Sequence, residues 1–434
     1  MGLTGVIKKL LRFGHARHIV AVPEPRARAQ DKKAEFASES PQTGIDPQVK
    51  APQKTALPEL IVVPLTDRKL LDRFLRLPWY IYREHYPTPH WVPPLIAEQR
   101  KFLNPAINPF FEHAQCCFWI ARVNNRDVGR IAAVDDADWA RTTGEKTGYF
   151  GFFECPDDTD VARALLDAAF QWLKQRGLHE VIGPLNLSTN HQSGLLVDGF
   201  DSPPCIEMTY NPPYYEKLLQ SYGLEKVKDL LQWRASATGP VPARMEKLAQ
   251  RLKKRGRIQL RHMQIKDWDA EVGRLLEIYN DAWVDLWGFV PLSEKELRYL
   301  AADMKMVIQP ELAIIAEVDG EPVGVAITIK NINPLLQKLD GRLFPTGFIR
   351  LLWGLKFGRR VNSGRVMVAG VKKSCQNLGI GSIMYMETRN AIARLGWDNT
   401  YIGWTLEDND EVNSSIRSLD GEIDKTFRIY GKAC

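Results

Sequence analysis

The sequence predicts a mixed α/β (α+β) fold: two similar units in tandem, each a mixed, twisted sheet flanked by helices. Three observations predict it. Arg365–Val371 reads as a short β-strand, and Gln376-Asn377-Leu378-Gly379-Ile380-Gly381 follows as a glycine-containing turn. Ile380, Met384, Ala391 and Leu395 then recur at helical spacing until Gly396. Downstream come a strand at Tyr401–Leu406, a polar helix through Asn413 and Ile416 stopped by Asp420-Gly421, and an alternating segment Lys425–Tyr430. An earlier stretch of the chain repeats much of this order, so the same unit is expected twice.

Taken in order, residues 1–58 form a leader that is not globular. Leu3, Val6, Ile7, Leu10 and Leu11 share a helical face beside Lys8, Lys9 and Arg12, so residues 3–12 read either as a peripheral membrane contact or as a solvated terminus. Ala21–Pro58, rich in Pro, Ala, Gln, Lys and Ser, reads as a disordered linker. The first unit is expected over residues 59–238. It opens with a strand at Leu60–Leu65, a helix at Asp67–Leu77 and an aromatic, proline-bent connector from Trp79 to Leu95. A hairpin across Asn124-Asn125 follows, then a strand at Gly148–Glu154. A helix with Val161, Leu165, Ala168 and Trp172 buried leads to a strand at Glu180–Ile182. The second unit is expected over residues 239–434. It has a helix at Met245–Lys254, a strand at Ile258–Met263, a long helix around Val272–Trp283 and a hairpin across Asp319-Gly320. The stretch Phe344–Phe357 is unusually apolar.

Composition narrows the function. The chain has 434 residues, 44% hydrophobic and 25% charged, and contains no run long and apolar enough for a membrane-spanning helix. The six cysteines show no Cys-x-x-Cys pair and no neighbouring histidine cluster, so neither a metal site nor a disulfide framework is expected. The net charge is +6, but Met1–Pro58 carries ten Lys/Arg against five Asp/Glu and supplies most of it. A nearly neutral body argues against nucleic acid as the main partner. No signal peptide is recognisable, which points to a cytoplasmic protein, with the basic leader as its one candidate contact with the inner membrane surface.

A strand, a glycine turn and a helix start together present free backbone N–H groups at the positive end of a helix dipole, an arrangement suited to phosphate. The spacing Gln-x-x-Gly-x-Gly is neither the dinucleotide fingerprint nor a P-loop. It resembles the pyrophosphate loop of the GNAT acyltransferases, and the element order from Arg365 to Tyr430 resembles the C-terminal half of their domain. Where the second unit has Gly379 and Gly381, the first has Cys155-Pro156-Asp157-Asp158-Thr159-Asp160, whose acids suit helix capping and repel phosphate. One donor site, in the second unit, is expected.

What the resemblance implies is direct transfer from acyl-CoA to an amine, with no covalent acyl-enzyme and no permanently bound cofactor. It assigns donor binding to Val368, Ala369, Val371, Gln376, Asn377, Gly379, Ile380, Gly381 and Asn413, with Lys372 and Lys373 close to the phosphates. It places the acceptor near Asn280, Trp283, Trp287 and Trp404, with Glu294 nearby. Glu407 or Asp408, at the end of the strand beside the donor strand, is the candidate base. The tyrosine that many GNAT enzymes use as acid is replaced by Arg417 here, which leaves Tyr430 as the nearest substitute. Trp91-Val92-Pro93-Pro94-Leu95, Asn108-Pro109-Phe110-Phe111, Gly183-Pro184-Leu185-Asn186, Gly194–Phe200 and Trp404–Asn409 narrow the resemblance to a group of long bacterial GNAT-like proteins that includes the bacterial ceramide synthase. The acceptor then implied is a lipid amine, a sphingoid base, with Phe344, Phe348, Leu351, Leu352 and Trp353 as lining for an alkyl channel or as a buried core helix. An acetyltransferase for a small amine and a peptidoglycan-type aminoacyl transferase remain the alternatives.

Overall fold

The computed structural model describes residues 59–236, 257–304, 308–357 and 361–434, with a few positions between 243 and 251. The expectations for residues 3–12, the linker up to Pro58 and most of the helix at 245–254 fall outside the described residues. Among the described residues, thirteen strands form one mixed sheet, in the spatial order β1-β2-β3-β4-β5-β13-β7-β12-β11-β10-β9-β8, with β6 pairing β13.

In the first half, β1 (Leu60–Pro64), β2 (Ala114–Val123), β3 (Arg126–Asp136) and β4 (Thr147–Glu154) are antiparallel neighbours, and β4 runs parallel to β5 (Glu180–Gly183). The β2–β3 turn is sharp because Asn124 and Asn125 both adopt left-handed backbone angles, with φ of 48° and 68°. Helix α1 (Arg68–Tyr80) starts where Asp67 accepts from the N–H groups of Lys69 (2.7 Å) and Leu70 (2.9 Å). Short helices α2 (Ile96–Phe102) and α3 (Ala137–Thr143) lie on either side of β2 and β3 in sequence. Helix α4 (Thr159–Gln175) buries Val161, Ala162, Leu165, Leu166, Ala169, Phe170 and Leu173. The face is therefore rotated from the expected one, leaving Ala168 and Trp172 half-buried. Strand β6 (Leu195–Asp198), helix α5 (Tyr214–Ser221) and β7 (Glu225–Ser236) complete this half.

The second half repeats the plan: β8 (Ile258–His262), α6 (Trp268–Ala282), α7 (Glu294–Met304), β9 (Ile308–Val318) and β10 (Glu321–Lys330). Then come α8 (Asn333–Leu336), α9 (Gly347–Phe357), β11 (Ser363–Val371), α10 (Ile380–Arg394), β12 (Asn399–Leu406), α11 (Asp410–Arg417) and β13 (Glu422–Ala433). Asp319 and Gly320 close the β9–β10 hairpin with φ of 52° and 89°. Helix α6 packs on one face of this half, and α10, through Ile380 and Met384, on the other.

The last strands of the two halves are exchanged. β13 lies between β5 and β7, and β7 lies between β13 and β12. The expected boundary at 238/239 falls in the connection from β7 to β8, and the sheet runs on across it. One buried cluster accordingly draws Phe74, Tyr149 and Leu187 together with Val290, Leu406 and Phe427.

Helix α9 departs from the expected buried core helix. Phe344, Ile349, Leu352 and Trp353 are exposed, while Phe348 and Leu351 are half-buried. Hydropathy records that these side chains are apolar but not the direction in which the helix turns them.

Candidate functional site: a fork in the sheet

Strands β11 and β12 pair in parallel only from Ser363/Asn399 to Val366/Ile402. Beyond Val366 they separate. β12 continues along β7 through Thr405 and Leu406, while β11 continues along β10. Met367 is the extra residue of a bulge, because Val366 faces Thr328 and Val368 faces Ile327. Within a sheet this wide, residues in two inner strands retain access to solvent: Ala369 is exposed, and Val368, Gly370, Ile402 and Trp404 are half-buried. The widening fork thus leaves one side of Val368–Val371 without a strand partner.

The glycine loop stands at the open end of the fork. Gly379 takes φ 73° at the N-cap of α10, which has no side-chain cap. A Cβ on Gly381 would meet nothing within 4 Å. Free N–H groups at the positive end of a helix therefore face open space. Gln376 and Asn377 are exposed, and Gln376 donates to the Val371 carbonyl (3.2 Å), while Ile380 points into the core. Lys372 and Lys373 are ion-paired with Glu277 and Asp285, and the Lys373 N–H donates to Asp281 (2.7 Å).

The corresponding fork in the first half is closed by the chain itself. Pairing of β4 with β5 stops at Tyr149/Ile182. The Leu185 N–H then donates to the Phe150 carbonyl (2.8 Å), and Asn186 accepts from the Phe152 N–H (2.8 Å). A Cβ on Gly151 would lie 1.9 Å from the Leu185 oxygen. At the start of α4, Asp158 accepts from the N–H groups of Asp160 (2.9 Å) and Val161 (3.2 Å). The donors that stay open in the second half are consumed here.

The other sequence-predicted residues divide. Trp283 is brought to the fork, its ring 2.3 Å from where a Cβ on Gly370 would stand. Trp287 packs edge-on to Trp139 of the first half (6.4 Å), and Trp404 borders the same cluster. The Asn280 amide is engaged with main chain: it accepts from the Leu292 N–H and donates to the Leu292 carbonyl, each at 3.2 Å. Asn413 is buried and engaged as well, donating to the carbonyls of Leu406 (2.9 Å) and Glu407 (3.2 Å) and accepting from the Thr405 hydroxyl (2.6 Å). Both amides secure main chain, a role that sequence position does not reveal. Glu294 is bonded to Arg298 (2.8 Å) on its own helix.

Glu407 accepts from the Lys226 ammonium (2.6 Å) on one oxygen and from the Asp229 N–H (3.0 Å) on the other. Asp408 is paired with Lys228 (2.7 Å), which holds its carboxyl below the usual range. Both carboxylates latch the end of β12 to β7. Tyr430 is not brought to the glycine loop. It is buried in the first half's core, and its hydroxyl donates to Glu216 (2.7 Å). Burial and that carboxylate push its ionisation upward.

Two features carry no local signal and were not expected. Arg365 is buried at the point of the fork, where it donates to the carbonyls of Gly403 (3.0 Å), Ile206 (2.9 Å) and Glu207 (3.0 Å). Burial lowers the pKa of this cation. His113 joins the halves, with Nδ1 2.9 Å from Asp136 and Nε2 3.1 Å from Glu296 on α7. Burial alone would pull His113 down, but its bonds to Asp136 and Glu296 outweigh that and push it up to about 9. An unfolded histidine titrates near 6.5, so this contribution is complete below about pH 6.5 and is lost as pH rises through about 9. His113→Gln is therefore expected to destabilise the chain by about 2 kcal/mol at pH 6, allowing for partial solvent screening, and by much less at pH 9.5. Denaturant unfolding of both proteins across that range checks it.

Among the described residues no group of side chains could hold a metal ion, and no helix is long and apolar enough to cross a membrane. No protein-family model matches the chain. Among solved structures, a tandem GNAT protein from the clavulanic acid biosynthesis pathway superposes with a TM-score of 0.51 at 12% identity, over 86% of this chain and 98% of that one. A GCN5-related glucosamine N-acetyltransferase region of a fungal multi-domain β-N-acetylglucosaminidase gives 0.53 at 13% identity, over 87% of this chain and 38% of that one. The fold is that of tandem GNAT proteins. In sequence, Protein YghO of Escherichia coli (strain K12) is 34% identical over 378 residues, 86% of this chain and 95% of the relative. The bacterial ceramide synthase of Caulobacter vibrioides (strain NA1000 / CB15N) is 38% identical over 383 residues, 86% of this chain and 98% of the relative. With 38% identity over 86% of this chain and 98% of that relative, the chain belongs to the bacterial ceramide synthase family.

Proposed function

We propose that the chain is an N-acyltransferase that moves a long-chain acyl group from acyl-CoA to the amine of a sphingoid base. The observation that carries this reading is the 38% identity with a bacterial ceramide synthase across 98% of that protein's length. The open fork supports it. The pyrophosphate would lie on the N–H groups following Gly379, and the pantetheine arm along the side of Val368–Val371 that has no strand partner. Val368, Ala369 and Val371 would offer that main chain, Gln376, Asn377, Gly379 and Gly381 with the N–H of Ile380 would hold the phosphates, and Trp283, Trp287 and Trp404 would stand on the acceptor side. The amine nitrogen attacks the thioester carbonyl carbon, a main-chain N–H of the bulged strand steadies the developing oxyanion, and the C–S bond breaks as the amide forms, the proton leaving the nitrogen being taken up by the departing CoA thiolate, directly or through water. An amine entering this aromatic setting is desolvated, which favours its neutral, nucleophilic form. The protonation state therefore need not depend on Glu407.

Purified protein given sphinganine or its 3-keto form, with donors from acetyl-CoA to palmitoyl-CoA, is expected to yield N-acyl product at a rate that climbs steeply with donor length. Each methylene buried contributes about 0.8 kcal/mol, so a few of them separate long donors from acetyl-CoA by orders of magnitude. Preference for acetyl-CoA with small polyamines would sink the lipid reading and leave only the fold.

A further inference from the structure

Helix α9 presents two apolar faces, one packed into the protein and one largely exposed. On the inner face Gly354 approaches Leu335 so closely that a Cβ would lie 2.7 Å from its side chain, and Leu355 packs against the α6 core. On the outer face Ile349, Leu352 and Trp353, spaced i, i+3 and i+4, are 66%, 38% and 67% exposed. Phe344, 62% exposed, stacks on Phe348 at 6.3 Å just before the helix. A contiguous surface of this kind, on an element that is otherwise well packed, marks a contact with something outside the chain.

Charge says what that contact is. From Gly341 to Met386 the chain holds eight Lys/Arg and no Asp or Glu. Arg342 and Arg350 flank the apolar face, both exposed, and neither is paired with a carboxylate among the described residues. Lys356, Arg359 and Arg360 follow in the sequence. An apolar face edged by cations, with a tryptophan and phenylalanines in it, matches the interface of an anionic bilayer, where rings and alkyl groups enter the acyl boundary and guanidinium groups meet phosphates. Topology agrees. β10 and β11 are antiparallel, so their connection, which carries α8 and α9, leaves from the end of the sheet opposite the glycine loop. A surface bound through α9 leaves that loop directed to water.

We propose that the outer face of α9, through Phe344, Ile349, Leu352 and Trp353, docks the protein on an anionic lipid surface. The inference goes beyond the transfer reaction, and its test reads vesicle binding, which stands or falls whatever the substrate. The full chain is floated with vesicles of phosphatidylcholine alone or with phosphatidylglycerol. Wild-type protein is expected to bind the anionic vesicles, more weakly at high salt. The variant I349S/L352S/W353S is expected to lose at least about tenfold in partition coefficient. Trp353→Phe keeps the face apolar, so its difference from wild type in quenching by brominated lipid reports Trp353 without relying on the triple variant's fold. Equal vesicle binding by the triple variant, or bound protein whose Trp353 emission escapes quenching, overturns the proposal. So does a wild-type dimer that the triple variant dissociates and that ignores vesicles, which gives the face to a second copy of this chain.

Discussion

Gly381→Asp is expected to abolish acyl-CoA binding without harming the fold. The position is open, since an added Cβ meets nothing within 4 Å, so the side chain itself is tolerated. An acid in the first turn of α10 even favours the helix, by up to about 1 kcal/mol. That same carboxylate would stand where the pyrophosphate has to lie. Two like charges about 4 Å apart at a protein surface repel by about 4 kcal/mol, which corresponds to roughly a thousandfold in affinity. The first half supplies the control. Asp158 already fills the start of α4, so Asp158→Ala is expected to leave binding of CoA by calorimetry at one site per chain. Two sites in either protein, or unchanged affinity in Gly381→Asp, would defeat the assignment of the donor to the second fork.

Arg365→Met carries the largest expected loss of stability. The guanidinium is buried at the point where β11 and β12 part, and three carbonyls, from Ile206, Glu207 and Gly403, depend on it. Removing it relieves one desolvated charge but leaves the Glu207 and Gly403 oxygens without this donor and Ile206 with only the Cys205 thiol (3.9 Å), at about 1–3 kcal/mol for each lost bond. A net loss of about 3–5 kcal/mol is expected. Arg365→Lys should recover little of it, because an ammonium on a flexible stem cannot reproduce a planar fork that reaches the neighbouring strand and a loop at once. Since the same contacts set the angle of the fork, donor affinity should fall together with the midpoint of chemical denaturation. A variant with the wild-type midpoint would show that the loop at Ile206–Glu207 is held by other means.

What the sequence disclosed was local chemistry. Asn124-Asn125 and Asp319-Gly320 specify their hairpins because those residues tolerate left-handed backbone angles, and the helix following Gly379 is announced by spacing alone. The acids at Cys155–Asp160 pointed correctly to a capped helix, since Asp158 needs only its own neighbours. What stayed hidden depends on distant partners. Asn280 and Asn413 stand where substrate contacts are expected, yet their amides close on main chain that sequence cannot bring near. Tyr430 lies in the expected final strand but across the sheet from the glycine loop, because that strand pairs with β5. Arg365 reads as one strand residue among others until the loop carrying Ile206 arrives beside it.

The exchanged strands also bear on how the molecule comes to exist. β5, only four residues long, has β4 on one side and β13 on the other. β13 leaves the ribosome only after β8–β12 have been made, on the order of 10–40 s after β7 at ordinary rates of synthesis. During that interval the nascent N-terminal half has an incomplete edge, and β7 has neither of its eventual neighbours. The brevity of β5 gives stray chains little to pair with while the position is vacant. The N-terminal half can collapse early, but its sheet is finished by residues made only after β8–β12, so completing the first half's sheet waits on synthesis of the second.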